Sequence, residues 1–393
     1  MNRAAVILIS FVAIGCQSKG FQPLYWGPSE TAVVDGEDLT PPDINPPEEI
    51  ETAPPETPAP TAPPVAPTPT PVATPMPTPA GTAVYKVPSD YFTLAALPDT
   101  QVYSEKRPEI FLSQTKWIAE NAERFRIKMT THLGDIVENG NSAMEWEAAK
   151  AAYQVFETRA IPYAILPGNH DDDTTAERYS FYSGVFPISN FLLRPWWGDS
   201  MNIQNTNNYV LFEGGGEKYT LISLQYRPSA QVMMWADGVA KKFPERKVIV
   251  STHGYLNLLA ERAYGSLSFQ YIWDTLLAPN PNVMMILSGH VAGEASRVDN
   301  PGGHFVYQLL SDYQARANGG NGLFRRMTFA PSQRRIYVQT YSTWLVAANC
   351  ASTVAKNTIY RADGCYETDA NSEFILNLET GAIESGPFEL VYP

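Results

Sequence analysis

From about residue 86 onward, short apolar runs are separated by polar punctuation at a spacing that suits an alternating fold. Runs at 91–97, 127–133, 161–166, 209–212, 219–225, 247–252 and 283–288 are rich in Val, Ile, Leu, Tyr and Thr and read as strands. Further runs at 305–309, 323–329, 335–341 and 373–378 also read as strands. Helical spacing appears between the early runs. Over 108–125 it places Ile110, Trp117, Ile118, Ala122 and Phe125 on one face. The segment 142–158 opens on Ser142, with Glu145 and Glu147 in its first turn, as a helix N-terminus prefers. Segments 231–243 and 269–277 are the later helix candidates. Strands alternating with helices, followed by a strand-rich tail, predict an α/β sandwich with central sheets. The last strand lies near the C-terminus, so 86–393 reads as one domain decorated by a 350–365 loop.

The segment before this domain has a different composition. Sixteen of the 33 prolines lie between Pro41 and Pro79, mixed with Thr, Ala and Glu. Such a segment cannot bury a core and should be extended and disordered, which makes 16–85 a tether. A docking site for a proline-recognising partner is the rival reading. The first fifteen residues read as an export signal: Asn2-Arg3, an apolar run over 4–14, then Gly15-Cys16. That run is too short to span a bilayer. Val12-Ala13-Ile14-Gly15-Cys16 resembles a bacterial lipobox, which implies cleavage before Cys16 and a lipid anchor on its thiol and new amino group. An ordinary signal peptide or a short signal anchor is the alternative. Gln17 is not the aspartate associated with inner-membrane retention, so the expected location is the outer membrane or periplasm-facing envelope. In that oxidising setting Cys350 and Cys365 form a disulfide or remain two free thiols. Closing that loop would stabilise the fold by roughly 3 kcal/mol in the entropic model.

The net charge of −13 changes the picture little. Residues 20–85 hold nine acids and no base, and outside the leader and tether the chain has no basic cluster of the kind nucleic acid requires. A monomer is expected.

The chemistry lies in five short motifs: Asp99-Thr100-Gln101, Gly134-Asp135, Gly168-Asn169-His170-Asp171, Thr252-His253-Gly254 and Ser288-Gly289-His290. Each follows an apolar run, at a strand's carboxyl end where α/β folds place ligands. Taken singly, Asp99 reads as a helix cap or turn, and His253 and His290 as hydrogen-bonded core histidines. The Gly168–Asp171 tetrad puts a glycine turn, an amide, an imidazole and a carboxylate together without a gap. Collected at strand ends, these groups are the donor set of a two-metal hydrolytic site.

The ordered set resembles the calcineurin-like metallophosphoesterases, whose motifs run Asp-x-His, Gly-Asp-x-x-Asp, Gly-Asn-His-Asp/Glu, a lone His and Gly-His-x-His. The resemblance covers about residues 91–342, and the Asp-Thr-Gln opening looks like an exported bacterial branch. It implies a four-layer α-β-β-α sandwich of two mixed sheets flanked by helices. It also implies hydrolysis of a phosphomonoester or phosphodiester by a metal-activated hydroxide. Carried over by motif, Asp99 is a ligand of the first metal, Asp135 bridges both, and Asn169, His253 and His290 hold the second. His170 would contact the phosphoryl group and protonate the leaving oxygen, with Glu138 in place of the family's orienting Asp.

Two departures weaken the first metal site. Gln101 and Ala292 stand where the family has histidines. Asp99, Asp135 and the Gln101 amide form an oxygen set suited to Mg²⁺, Mn²⁺ or Ca²⁺, whereas the second site suits Mn, Fe or Zn. Glu294 is a further candidate to reach in. Asn139 replaces the family's phosphate-binding arginine. Trp196 and Trp197 could wall the substrate pocket or simply pack beneath a loop, and the 181–208 and 350–365 loops would set specificity. His132 reads as structural. His304 and Asp312-Tyr313-Gln314 either belong to a late strand or approach the site. A non-catalytic, metal-containing surface binding module on the same fold is the alternative function.

Overall fold

The computed structural model describes residues 82–345, 350, 359–361 and 364–393. The export signal, Cys16 and nearly all of the 16–85 tether lie outside the described residues, as does most of the 350–365 loop.

Two sheets lie face to face. The first has the order β12 (Gly293–Asp299), β13 (Val306–Asp312), β11 (Val283–Ser288), β8 (Lys247–Thr252), β7 (Glu217–Leu224), β6 (Asn208–Gly214), β5 (Trp197–Ser200). The second runs β16 (Ile359–Arg361), β17 (Gly364–Glu367), β15 (Arg335–Ser342), β14 (Leu323–Ala330), β2 (Phe92–Leu97), β3 (Ile127–His132), β4 (Tyr163–Ala164). In the second sheet β18 (Glu373–Asn377) also pairs with β15 and β19 (Ile383–Ser385). Both sheets are mixed. β2, β3 and β4 run parallel, as do β7, β8, β11 and β13, while β12, β6, β5, β14 and β15 join their neighbours in antiparallel pairs.

Strand periodicity explains the layers. In β2, Phe92, Leu94 and Ala96 face the space between the sheets, while Ala95 and Leu97 face outward under helices. In β8, Ile249 points between the sheets and Val248 and Val250 point to the other helical layer. Strands buried on both faces read as continuous apolar runs, as these do. The outer layer on β2–β4 is α1 (Gln101–Lys106), α2 (Pro108–Asn121), α3 (Ala143–Arg159) and α4 (Ser180–Val185). On the other sheet it is α5 (Ala230–Lys242) and α6 (Gln270–Ile272), which continues into a π-helical turn over Trp273–Leu277. The architecture is the α-β-β-α sandwich that the sequence implies.

The differences from the sequence reading are local. The candidate helix 108–125 starts with Pro108 at the first turn of α2, and a separate six-residue α1 precedes it. Proline lacks the N–H that a continuous helix would need there. β1 (Ala83–Lys86) pairs in parallel with β20 (Phe388–Val391), so the start and end of the described fold are joined. A two-stranded hairpin, β9 (Ala263–Tyr264) and β10 (Leu267–Ser268), projects beyond β8. Cys350 and Cys365 form a disulfide, with Cα atoms 5.7 Å apart. Among the described residues, no helix is long and apolar enough to cross a membrane.

Candidate metal centre

Because the central strands are parallel within each sheet, their carboxyl ends present one loop each. Asp99 follows β2, Asp135 follows β3, Asn169 and His170 follow β4, His253 follows β8 and His290 follows β11. Loop-to-loop bonds draw these ends together. The Thr100 N–H donates to the Asp135 carbonyl (3.0 Å), and the Gly289 N–H donates to the His253 carbonyl (2.8 Å). Two bonds cross between the sheets: His253 Nδ1 to the Leu133 carbonyl (2.9 Å) and the His290 N–H to Asp99 Oδ2 (3.0 Å).

Close approach requires glycine at two positions. A Cβ on Gly168 would lie 2.1 Å from Asp135 Oδ1, and one on Gly289 would lie 2.0 Å from Asp99 Oδ1. Asp135 and His290 adopt left-handed backbone conformations, with φ of 49° and 73°. Such strain in non-glycine residues concentrates at functional sites. The tetrad's Asp171 is structural. Fully buried, it accepts the N–H groups of Ile136, Val137 and Gly168 at 2.8–3.0 Å, tying the second motif to the third.

The donors converge on His253. Its Nδ1 faces a carbonyl, which only an N–H satisfies, so in the neutral ring Nε2 carries the lone pair. Around Nε2 lie Asn169 Oδ1 at 3.0 Å, Asp135 Oδ2 at 3.1 Å and His290 Nδ1 at 3.1 Å. Asp135, His253 and His290 each offer one ligand atom, all within 4.8 Å of one another. A divalent cation would satisfy this mixed nitrogen and oxygen set at once. Burial opposes a charged His253 ring, but the Asp135 carboxylate outweighs it and raises the His253 pKa. Burial and the neighbouring His253 push His290 down to about 4, so its ring is neutral and available as a ligand at neutral pH.

The other half of the centre consists of oxygen atoms. Asp99 is buried, its Oδ1 has no hydrogen-bond partner, and burial followed by the nearby Asp312 and Asp135 carboxylates raises its pKa. Gln101, buried on the first turn of α1, donates Nε2 to Glu138 Oε2 at 2.9 Å. That bond fixes the amide, leaving its Oε1 buried and without a partner. Buried oxygens left without partners beside a carboxylate and imidazole cluster are groups that a bound cation would satisfy. The donor set therefore fits divalent metal on both sides, nitrogen-containing on one and all-oxygen on the other.

His170 sits at the rim, with its side chain 37% exposed. Its Nδ1 lies 2.9 Å from the Glu138 backbone carbonyl and 3.6 Å from the Glu138 carboxylate. The main chain thus makes the closer contact that sets the ring, and the Glu138 carboxylate is shared with Gln101. Burial works against a charged His170, but Asp135 and Glu138 raise its pKa above the ordinary value.

The matching family profile is that of the calcineurin-like phosphoesterases, and it spans residues 92–294, from β2 into β12. The chain belongs to this family. A curated relative, the uncharacterized protein YvnB of Bacillus subtilis, is 31% identical over 271 residues, which is 67% of this chain and 21% of that protein. The chain therefore spans about a fifth of that relative's length. Among solved structures, a dimetal phosphatase from Danio rerio is 12% identical, covering 64% of this chain and 96% of its own, with a TM-score of 0.46. A purple acid phosphatase from yellow lupin (Lupinus luteus) seeds is 13% identical, covering 66% and 52%, with a TM-score of 0.42.

Several sequence candidates lie elsewhere. Trp196 is buried in the inter-sheet core and Trp197 stacks on Phe191 (centroids 5.0 Å), on the edge strand three strands from β8. They pack the fold instead of walling the pocket. Asn139 is exposed, and its amide is engaged by Glu145 Oε1 at 2.8 Å. Glu294 does not reach the centre: its carboxylate binds Arg325, Arg316, Tyr313 and Ser372 in a cluster with Glu367 and Asp369. Arginines already balance that acidic group. His304 precedes β13, at the end of the strand opposite the site. His132 is structural: Nδ1 accepts the Gly134 N–H (3.1 Å) and Nε2 faces Thr100 Oγ1 (3.0 Å).

The sequence reading missed Tyr226 and Tyr264. Tyr226 follows β7 in the same row of strand ends, and its hydroxyl lies 3.4 Å from His290 Nε2. Tyr264, on the projecting hairpin, packs edge-on against the His290 ring (centroids 4.6 Å). Neither belongs to a motif. Only the position of Tyr226 just beyond an apolar run could have drawn attention to it.

Proposed function

We propose that this chain is an exported phosphoesterase that hydrolyses a phosphomonoester or phosphodiester with two divalent metal ions, at the cell envelope. One observation carries the reading: Asn169 Oδ1, Asp135 Oδ2 and His290 Nδ1 converge within 3.1 Å of His253 Nε2, a mixed nitrogen and oxygen donor set of the kind a divalent ion takes. Asp135, Asn169, His253 and His290 would hold one ion, and Asp99, Asp135 and Gln101 the other. Bound divalent ions supply the positive charge that phosphoryl transfer needs and lower the pKa of a water.

The chain's own groups do the remaining work. The Glu138 carbonyl takes the His170 Nδ1 proton in a hydrogen bond, which leaves Nε2 as the atom that exchanges a proton with substrate. Asp135 and Glu138 raise the His170 pKa and so favour the ring form that carries this proton, as a leaving-group acid requires. A surface binding module would need no such acid, which favours the enzyme over the binder.

Metal analysis and an aryl phosphodiester assay on the purified chain test this. His253→Ala and His290→Ala should each lose metal and hydrolysis together, and unchanged metal content and activity in both would refute the reading. Lipid on Cys16, detected by mass spectrometry of the membrane fraction, tests the anchor, and Cys16→Ser should release the chain from the membrane.

A further inference from the structure

We infer that Asp312 is a ligand of the first metal, supplying the charge that the family's missing histidine at Ala292 would otherwise provide. This rests on the two-metal reading above.

Asp312 ends β13, which runs parallel to β11 in the register Ser288↔Leu310. It therefore lies two residues beyond that pair, as His290 does on β11, in the same row of strand ends as the ligands. It is fully buried, and among the described residues no Lys or Arg pairs with it and its two oxygens accept only the Gln314 N–H and Gln314 Nε2, both at 2.9 Å. Burial raises its pKa to about 6, and His253 and Asp135 lie near enough to act on it too.

Three carboxylates, Asp99, Asp135 and Asp312, are thus buried near one another; His253 faces Asp99 (3.9 Å) and Asp135 (3.1 Å), and among the described residues no Lys or Arg pairs with any of the three. One imidazole cannot compensate three buried like charges, and a divalent cation is the compensation this chemistry allows. Two further observations bear on this site. Asp99 Oδ1 and Gln101 Oε1 are buried oxygens without partners. Ala292 also leaves open space: a cavity of about 440 Å³ is lined by Tyr264, His290, Val291, Ala292, Gln314 and Ala315. Gln314, which donates to Asp312 through both its N–H and its Nε2, lines that space together with His290. The first site then holds three carboxylates and an amide, a hard set that suits Mn²⁺ or Mg²⁺ over Zn²⁺.

The test is Mn²⁺ stoichiometry and affinity on the chelator-treated full chain, by calorimetry and elemental analysis, with folding checked by circular dichroism. Wild type should bind two Mn²⁺. Asp312→Asn, which keeps the shape and removes the charge, should weaken one of them at least tenfold and leave the other unchanged. Its metal-free form should melt no lower than wild type, because a buried charge is gone. Two Mn²⁺ at wild-type affinity in Asp312→Asn, or a single Mn²⁺ in wild type, would overturn the inference. If that variant does not fold, Gln314→Ala gives the same readout with every carboxylate retained. It should weaken the same ion severalfold, and unchanged binding there would equally overturn the inference. His253→Ala separates the two readings. If it loses metal while the Asp312 variant does not, the phosphoesterase reading stands and the Asp312 assignment falls.

Discussion

The two halves of the centre use the same scaffold in different ways. On the His253 side, each nitrogen ligand is oriented by a bond through its other ring atom, to the Leu133 carbonyl for His253 and toward the Tyr226 hydroxyl for His290. On the Asp99 side there is no ring to orient. Position is set by an amide locked to Glu138 and by carboxylates pressed against glycine and backbone. Rigid, directional nitrogen ligands hold a metal through geometry, whereas buried carboxylates hold it through charge. The His253 half should therefore be selective and tight, and the Asp99 half hard, charge-driven and exchangeable.

The largest effect should come from breaking the geometric half. His253→Ala removes the atom on which three other donors converge, and loss of several kcal/mol of charge stabilisation should lower turnover on the order of a thousandfold, with metal lost in parallel. His170→Ala should lower turnover by about 10²–10⁴ with metal content unchanged, because its ring is positioned by Glu138 and not by the ligands. Elemental analysis beside the rate measurement separates these two outcomes. Gln101→Ala should be milder, weakening only the charge-driven ion by about tenfold, as read by Mn²⁺ titration.

A pH experiment sharpens the comparison from outside the ligand set. Burial, then His253, lowers the His132 pKa from 6.5 to about 3. Below pH 6.5 the unfolded chain takes up a proton that the folded ring refuses, so folding stability falls with falling pH through the window from 6.5 to about 3. The difference between wild type and His132→Gln in urea unfolding should therefore shift against wild type by about 1.4 kcal/mol per pH unit in that window. The smallest catalytic effect belongs to Trp197→Ala. Packed on Phe191 at the sheet edge, Trp197 should alter stability while leaving KM for an aryl phosphodiester within about twofold of wild type, a shift below 0.5 kcal/mol.

Much of this was legible in advance because both sheets are buried on two faces. Continuous apolar runs such as Val283–Ser288 and Lys247–Thr252 announce parallel central strands, and the motif residues follow them directly. Short elements were not legible. β12, β9 and β10 have no apolar run of their own and exist because β13 and the projecting hairpin pair with them. Trp196 and Trp197 illustrate the same limit, since an aromatic pair on a loop carries no signal about which face of the fold it meets.

The sequence by itself determined which groups are available: the order of the strands' apolar runs, the glycines that permit close approach, and the residues Gln101 and Ala292 in place of two imidazoles. Local pattern suffices for these, because burial and backbone sterics act over a few residues. Tertiary structure alone decided how those groups combine. It placed Glu294 beside Arg316 and Arg325, turned Gln101 so that its Oε1 has no partner among the described residues, and set Asp312 in the same row of strand ends as His290. The reason is physical: charge compensation depends on distance through space, and residues far apart in the chain become neighbours only when the strand ends meet.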